Sequence, residues 1–332
     1  MNSYEEIKNI IQNISNEKPI IIAGHENADL DSIGSSLALA FLLEKIGKKD
    51  ISILLSEKDL YKIAWFDNKR LISSNIKKNN YVFIMVDLNR KGRLGEFENY
   101  FDRADLTINI DHHEKNKNES TYTISDPDIS STCEMIFNLI KQFNCPLDKD
   151  IATMLYAGVL TDTAGFSIRM TPNTFNILSE LLTYGIDYEY ITKKSYLERT
   201  QLEISALSEM ISNIKFDIFH YIIIDKKNPI FKDLEYSQLF KKMFPILRNI
   251  KEVKVLGIFL IDNENVYGEF KSNVDIDVSE LARVFGGGGH RRSAGFTSIL
   301  DINNILDISK KYIKASLSKI ETRRDAIKCK HT

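Results

Sequence analysis

Histidine is scarce in this chain, six among 332 residues, and four of the six sit in polar clusters where chemistry is expected. The run 20–23 (Ile-Ile-Ile-Ala) leads into Gly24-His25-Glu26-Asn27-Ala28-Asp29-Leu30-Asp31-Ser32. The run 81–86 leads into Asp87, and the run 106–110 into Asp111-His112-His113. Asp162 adds a carboxylate in Leu160-Thr161-Asp162-Thr163, and Gly286-Gly287-Gly288-Gly289-His290 forms a late glycine-rich cluster. Read singly, each Asp is an ordinary turn residue or helix N-cap. Read jointly, three clusters place acid or imidazole just past the last apolar residue of a strand, and parallel strands bring such ends to one edge of a sheet. Carboxylates gathered there repel one another unless a cation lies between them. Two divalent ions roughly 3.5–4 Å apart, sharing one Asp, would neutralise the set. Mixed carboxylate and imidazole donors suit manganese better than zinc alone.

The elements that must position these groups are legible as alternating patterns. Short β-rich runs fall at 20–23, 51–55, 81–86 and 106–110, and helical periodicity at 33–46, 130–143, 148–161 and 172–184. This alternation predicts an α/β fold with a mainly parallel sheet and helices on both faces over residues 1–190. The charged stretch 191–214, without Pro or Gly, reads as a helical connector. A smaller α/β domain is expected over 215–320, with strands near 216–224, 252–262 and 265–271 and helices near 236–248, 277–285 and 303–320; a charged tail occupies 321–332.

Composition bounds the function. With 43% hydrophobic and 27% charged residues the chain is globular. A net charge of −2 speaks against coating long nucleic acid by bulk electrostatics, though not against a small phosphate-bearing ligand. Cys133, Cys145 and Cys329 lack any C-x-x-C spacing and read as reduced thiols of a cytoplasmic protein. The longest apolar runs are too short to span a bilayer, and the N-terminus, with Glu5 and Glu6, does not resemble a signal peptide.

The order of these motifs resembles the DHH phosphoesterases. His25 through Asp31, Asp87, Asp111-His112-His113 and Asp162 look like that family's four ordered motifs. The run Gly286–His290 with Ser293-Ala294-Gly295 resembles the signature of the DHH-associated C-terminal domain. The likeness spans about residues 15–300 and is nearest to short bacterial members, which are oligoribonucleases with phosphoadenosine-phosphate phosphatase activity or stand-alone cyclic-di-AMP phosphodiesterases. It implies that His25 and Asp29 hold one metal, that Asp31, His112 and Asp162 hold the other, and that Asp87 bridges them. It further implies that Asp111 orients the site from behind and that His113 sits near the scissile phosphate. His290, with Gly287, Gly288 and Gly289, would grip substrate from the second domain across a cleft, aided by Lys271, Ser272 and Arg291. In two places the chain departs from the family. Ala28 stands where Pro is usual, and Lys271-Ser272 where short members show Arg-Ser; Lys keeps the charge but loses the bidentate fork.

The resemblance therefore implies a two-manganese phosphodiesterase cleaving very short oligonucleotides, with no membrane partner and with a homodimer left open. A cyclic-dinucleotide phosphodiesterase is the alternative. An inorganic pyrophosphatase is disfavoured by the glycine-rich domain, and a catalytically dead nucleotide sensor by the complete ligand set. A divalent requirement follows. Chelation with EDTA is expected to abolish turnover, and manganese to restore it better than calcium, whose larger and more flexible shell fits such a site poorly. Full turnover by metal-stripped protein would contradict this.

Overall fold

Strand β1 (Ile20–Ala23) lies at the middle of a six-stranded sheet built from β2 (Ile51–Leu54), β3 (Ile72–Ser73), β4 (Val82–Val86), β5 (Leu106–Asp111) and β6 (Tyr122–Ser125). The computed structural model describes residues 3–113, 119–234, 239–240 and 243–328. The strand order is β3-β2-β1-β4-β5-β6 and every pairing is parallel, with Ile20 opposite both Ile51 and Val82. The order reverses between β1 and β4, the position where sheets of this kind open a crevice beyond the carboxyl ends of their strands.

Both faces of this sheet are covered, which is why its strands read as continuous apolar runs. Ile20 and Ile22 enter a large core with the helices Leu30–Lys45, Thr132–Gln142 and Lys149–Asp162. Ile21 and Ala23 point to a thinner layer with Phe83, Met85, Leu94, Phe97 and Phe101. The strands Ile72–Ser73 and Tyr122–Ser125 were not expected from sequence: one is two residues long and the other exposes Tyr122, so neither carries a clear apolar run. Helix Leu30–Lys45 packs against helix Lys149–Asp162 through facing glycines. A Cβ on Gly34 would stand 2.7 Å from the Met154 carbonyl oxygen, and one on Gly158 would stand 2.3 Å from the Cys133 sulfur and 3.1 Å from the Asp31 Cα.

The chain divides into two compact units, Met1–Glu198 and Arg199–Thr332. The expected connector 191–214 is therefore split between them. Helix Gln201–Ser212, opened by a Thr200/Glu203 capping box, buries Ala206 and Met210 in the second unit's core. That unit carries a mixed sheet, β11-β12-β10-β9-β8-β7, made of β7 (Lys215–Phe216), β8 (His220–Asp225), β9 (Val255–Asp262), β10 (Asn265–Ser272), β11 (Gly288–His290) and β12 (Ser293–Ser298). Only β8 and β9 run parallel among the described pairs. Residues 236–238 and 241–242 of the helix expected at 236–248 lie outside the described residues, and Phe244–Arg248 is helical. The last helix runs over Ile302–Lys328, so the stretch from Glu321 continues it rather than leaving as a tail. That stretch holds neither Gly nor Pro to stop the helix. Among the described residues no helix is long and apolar enough to cross a membrane.

The close approach at Gly158 is testable. Gly158→Ala gains about 1 kcal/mol of helix propensity but overpacks the contact with Cys133 and Asp31, a cost of about 1–3 kcal/mol. A lowered melting temperature is expected, and an unchanged or raised one would show that the two helices can separate without loss.

Candidate metal centre

The carboxyl ends of β1, β4 and β5 deliver His25, Asp87, Asp111, His112 and His113 to one edge of the sheet. Asp29 and Asp31 arrive from the start of helix Leu30–Lys45, and Asp162 from the last residue of helix Lys149–Asp162. Three overlapping groups result, each with ligand atoms within 4.8 Å of one another: His25-Asp29-Asp87, Asp31-His112-Asp162 and Asp87-His112-His113. Asp87 joins them by facing two ways. Its Oδ2 lies 3.5 Å from His25 Nε2, while its Oδ1 lies 3.6 Å from His112 Nε2 and 3.8 Å from His113 Nδ1. Asp29 Oδ2 is 3.7 Å from His25 Nε2, and Asp162 Oδ2 is 3.4 Å from His112 Nε2.

Several of these groups are held by a second contact. His25 Nδ1 is 2.7 Å from the Glu26 carbonyl oxygen, so it donates there and turns the Nε2 lone pair toward Asp29 and Asp87. Asp29 is the helix N-cap and accepts the Ser32 amide on Oδ1, leaving Oδ2 toward His25. Asp31 does not cap its own helix. Its two oxygens accept the Thr132 and Cys133 amides at 2.8 Å each, at the start of the neighbouring helix Thr132–Gln142. Asp111 Oδ1 accepts from His113 Nδ1 at 2.6 Å.

The electrostatics call for a cation. Burial, then Asp162 and Asp29, push the Asp31 carboxyl up to about 7. Burial and the charges of Asp31, Asp29 and Asp162 raise Asp87 well above the carboxylate range. Burial lowers His112. Burial also acts to raise Asp111, but the hydrogen bond from His113 and the charges of both histidines outweigh it and hold Asp111 below its ordinary value. Gaps of 3.4–3.7 Å between Nε2 and carboxylate oxygens are long for hydrogen bonds and natural for two ligands of one ion. The donor set thus fits divalent metal.

Two features escape a reading of the sequence. Arg169 donates to the Asp162 carboxylate at 2.5 Å and to its carbonyl at 2.7 Å, seven residues on and without any motif to mark it. The backbone is strained around the site. Asn27, Asp87, Ala164, Phe166 and Arg169 all have positive φ, at 56°, 63°, 49°, 64° and 53°, and such residues cost about 1–3 kcal/mol each and gather at functional sites.

In the second unit the sequence candidates are held by their own neighbours. Lys271 pairs with Glu269 at 2.7 Å and lies over the Phe244 ring, Ser272 Oγ donates to the Val274 carbonyl, and Arg291 pairs with Asp275. The expected glycine loop is partly an edge strand, β11, paired with β12. A Cβ on Gly287 would meet the Gly295 carbonyl at 2.1 Å and one on Gly289 the Ser293 carbonyl at 2.6 Å, whereas one on Gly288 would meet nothing within 4 Å. The side chain of His290 lies outside the described residues.

A family model for the DHH family N-terminal domain matches residues 19–159, and one for the DHHA1 domain matches residues 235–315. An uncharacterized protein of Mycoplasma pneumoniae is 28% identical over 307 residues, 87% of each chain. A bifunctional oligoribonuclease and PAP phosphatase of Thermus thermophilus is 28% identical over 294 residues, 85% of this chain and 84% of that one. The crystal structure of an exopolyphosphatase-related protein from Bacteroides fragilis shares the fold at a TM-score of 0.80 and 23% identity, covering 94% of this chain and 96% of that one.

The carboxylate crowding predicts a pH signature. Asp31 rises from 3.8 in an open chain to about 7, so its stabilising proton is fully present at low pH and is lost as pH climbs through 7. His112, lowered from 6.5, acts in the opposite direction only below that value. Metal-free protein is therefore expected to lose the Asp31 contribution to melting temperature as pH rises from about 4 to about 7, partly offset below 6.5 by His112, with no further Asp31 slope above about pH 7, and manganese to remove that slope. A flat metal-free profile would contradict the crowding.

Proposed function

Since the chain is a DHH family protein with a C-terminal DHHA1 domain, we propose that it is a metal-dependent phosphodiesterase that hydrolyses very short oligonucleotides to mononucleotides and also takes 3′-phosphoadenosine 5′-phosphate. The observation that carries this reading is Asp87, whose two oxygens face two separate donor groups as a shared ligand must. The similarity to the Thermus thermophilus oligoribonuclease and PAP phosphatase over most of both chains supports the substrate class. The free thiols of Cys133 and Cys145 are compatible with a cytoplasmic protein.

In this reading His25 and Asp29 would hold one manganese ion, Asp31, His112 and Asp162 would hold the other, and Asp87 would serve both. Bound there, the pair supplies charge neutralisation at phosphorus and a water nucleophile that is acidic enough to act near neutral pH. The chain's own groups do the rest. Asp111 fixes His113 through Nδ1, so that Nε2 is the nitrogen offered to the scissile phosphate or the leaving oxygen. Arg169 restrains Asp162 by donating from one Nη to both its carbonyl and its carboxylate. His290 and the glycine strand are assigned to the terminal phosphate or nucleotide. Support comes from Gly288, which meets no steric demand within its own unit and so presents bare backbone to an incoming group. Lys271, Ser272 and Arg291 complete the proposed substrate contacts; Lys271 and Arg291 keep donors beyond those that face Glu269 and Asp275, while the Ser272 hydroxyl would have to turn from the Val274 carbonyl.

The test is turnover with manganese on a linear dinucleotide, cyclic di-AMP and phosphoadenosine phosphate in parallel. Preference for the linear dinucleotide is expected; preference for cyclic di-AMP would transfer the assignment to the alternative, and no turnover of any would sink it. Within the same assay, His290→Ala should raise KM for the dinucleotide while leaving bis-p-nitrophenyl phosphate, which has no second nucleotide to grip, little changed. Equal losses on both substrates would give His290 a part in the chemistry itself.

A further inference from the structure

The loop that carries His25 and Asp29 is fastened at its centre by a buried ion pair. Ala28 donates its amide to Asp59 Oδ2 at 3.1 Å, and Lys62 donates to the Ala28 carbonyl at 2.7 Å and to Asp59 Oδ1 at 2.6 Å. Both peptide groups of Ala28 are thereby held by residues more than thirty positions away, on the 3₁₀ segment Glu57–Ile63 that follows β2. The side chains of Lys62 and Asp59 are 12% and 4% exposed. Lys62 is itself anchored: its carbonyl accepts the Trp65 indole N–H at 2.9 Å. The fastened residue sits between Asn27, whose φ is 56°, and the N-cap Asp29.

This arrangement has a cost that helix or sheet formation does not explain. Two charges are taken out of water, and a buried pair of this kind is seldom justified by stability alone. What it supplies is position. His25 and Asp29 reach the same donor group from opposite ends of a five-residue loop, and their separation depends on the two peptide planes at residue 28. Ala leaves those planes free to turn where a proline ring would restrict them. The Asp59–Lys62 pair restricts them instead, by binding one N–H and one C=O.

We propose that Asp59 and Lys62 are positioning residues for the His25-Asp29-Asp87 metal group, acting through the backbone of Ala28. The inference rests on the metal reading of that group, and it extends the reading to two residues outside the ligand set. Supporting groups behind metal ligands change affinity by about 10–100-fold when removed.

The experiment is a calorimetric titration of chelator-stripped, full-length protein with manganese chloride alone, with melting temperature recorded in EDTA. Asp59→Asn and Lys62→Met are expected to weaken manganese binding at least tenfold while the EDTA melting curve stays cooperative. Lys62→Arg, which keeps a charged donor, should recover most of that affinity. Lys58→Met removes a neighbouring surface lysine paired with Glu26, both half exposed, and should change nothing. If a single variant fails to fold because it strands a buried charge, the double variant Asp59→Asn/Lys62→Met, which leaves none, is read in its place. Folded variants that bind manganese as the wild type does would overturn the proposal, as would an equal loss in Lys58→Met. A wild type that takes up no manganese would overturn the metal reading itself, an outcome distinct from either.

Discussion

Like-charge crowding at the carboxyl ends of β1, β4 and β5 governs this protein. Asp31 and Asp87 are 1% and 3% exposed, with Asp29 and Asp162 close enough to raise both. Carboxylates in such a place are expensive unless they are protonated, hydrogen-bonded or cation-bound. The fold supplies the second remedy in part, since the first amides of helix Thr132–Gln142 point at Asp31 and the helix dipole favours its charge. For Asp87 it supplies a single long hydrogen bond, from the Thr132 hydroxyl at 3.3 Å, and the gap between Asp87 and the imidazoles of His25 and His112 is where divalent metal would sit. Much of the architecture follows from keeping that gap open: an all-parallel sheet to align the strand ends, facing glycines to draw two helices together behind Asp31, and left-handed backbone at Asn27 and Asp87 to turn ligands inward.

The second unit solves a different problem. Its two candidate phosphate-binding cations are already paired within the unit, Lys271 with Glu269 and Arg291 with Asp275. A substrate phosphate would have to compete for them against carboxylates in fixed geometry. Backbone amides carry no such counter-charge, and β11 lies at the edge of its sheet, where one side of the strand has no described partner strand. Three of the four glycines have local reasons. Gly286 turns the chain after helix Val278–Val284 with φ 82°, and Gly287 and Gly289 pass close to β12. That leaves Gly288 as the position where a demand from outside the unit is the simplest account.

How much of this was legible in the sequence depended on range. The strands bearing β-branched runs, the helices with clear periodicity and the polar clusters at strand ends were all readable, because periodicity and punctuation are local. β3, β6 and the β11–β12 hairpin were not: they are short, or polar, or rich in glycine, and exist because a neighbouring strand offers its edge. Asp31 looked like a helix cap and is one, but for a helix that starts a hundred residues later in the chain. Arg169, Asp59 and Lys62 carry no motif; they matter through contacts with Asp162 and Ala28 that only the folded chain creates.

Ala28 shows why that limit is physical. Its residue type, read alone, says only that the loop lacks the stiffness of proline. A flexible loop bearing two ligands would bind metal weakly, because the ordering cost would be met on binding. The stiffness has not been lost but moved, from a ring within the loop to a charge pair outside it, and the compensation is spelled in residues 59 and 62 rather than 28. The two devices differ in what they tolerate. A proline ring acts within its own residue, whereas the charge pair holds only while both partners keep their length, their charge and their burial. If the pair positions the loop as proposed, metal affinity at His25 and Asp29 would be tied to the packing of the segment after β2, and a change at Trp65, which donates to the Lys62 carbonyl, would reach the site by the same route.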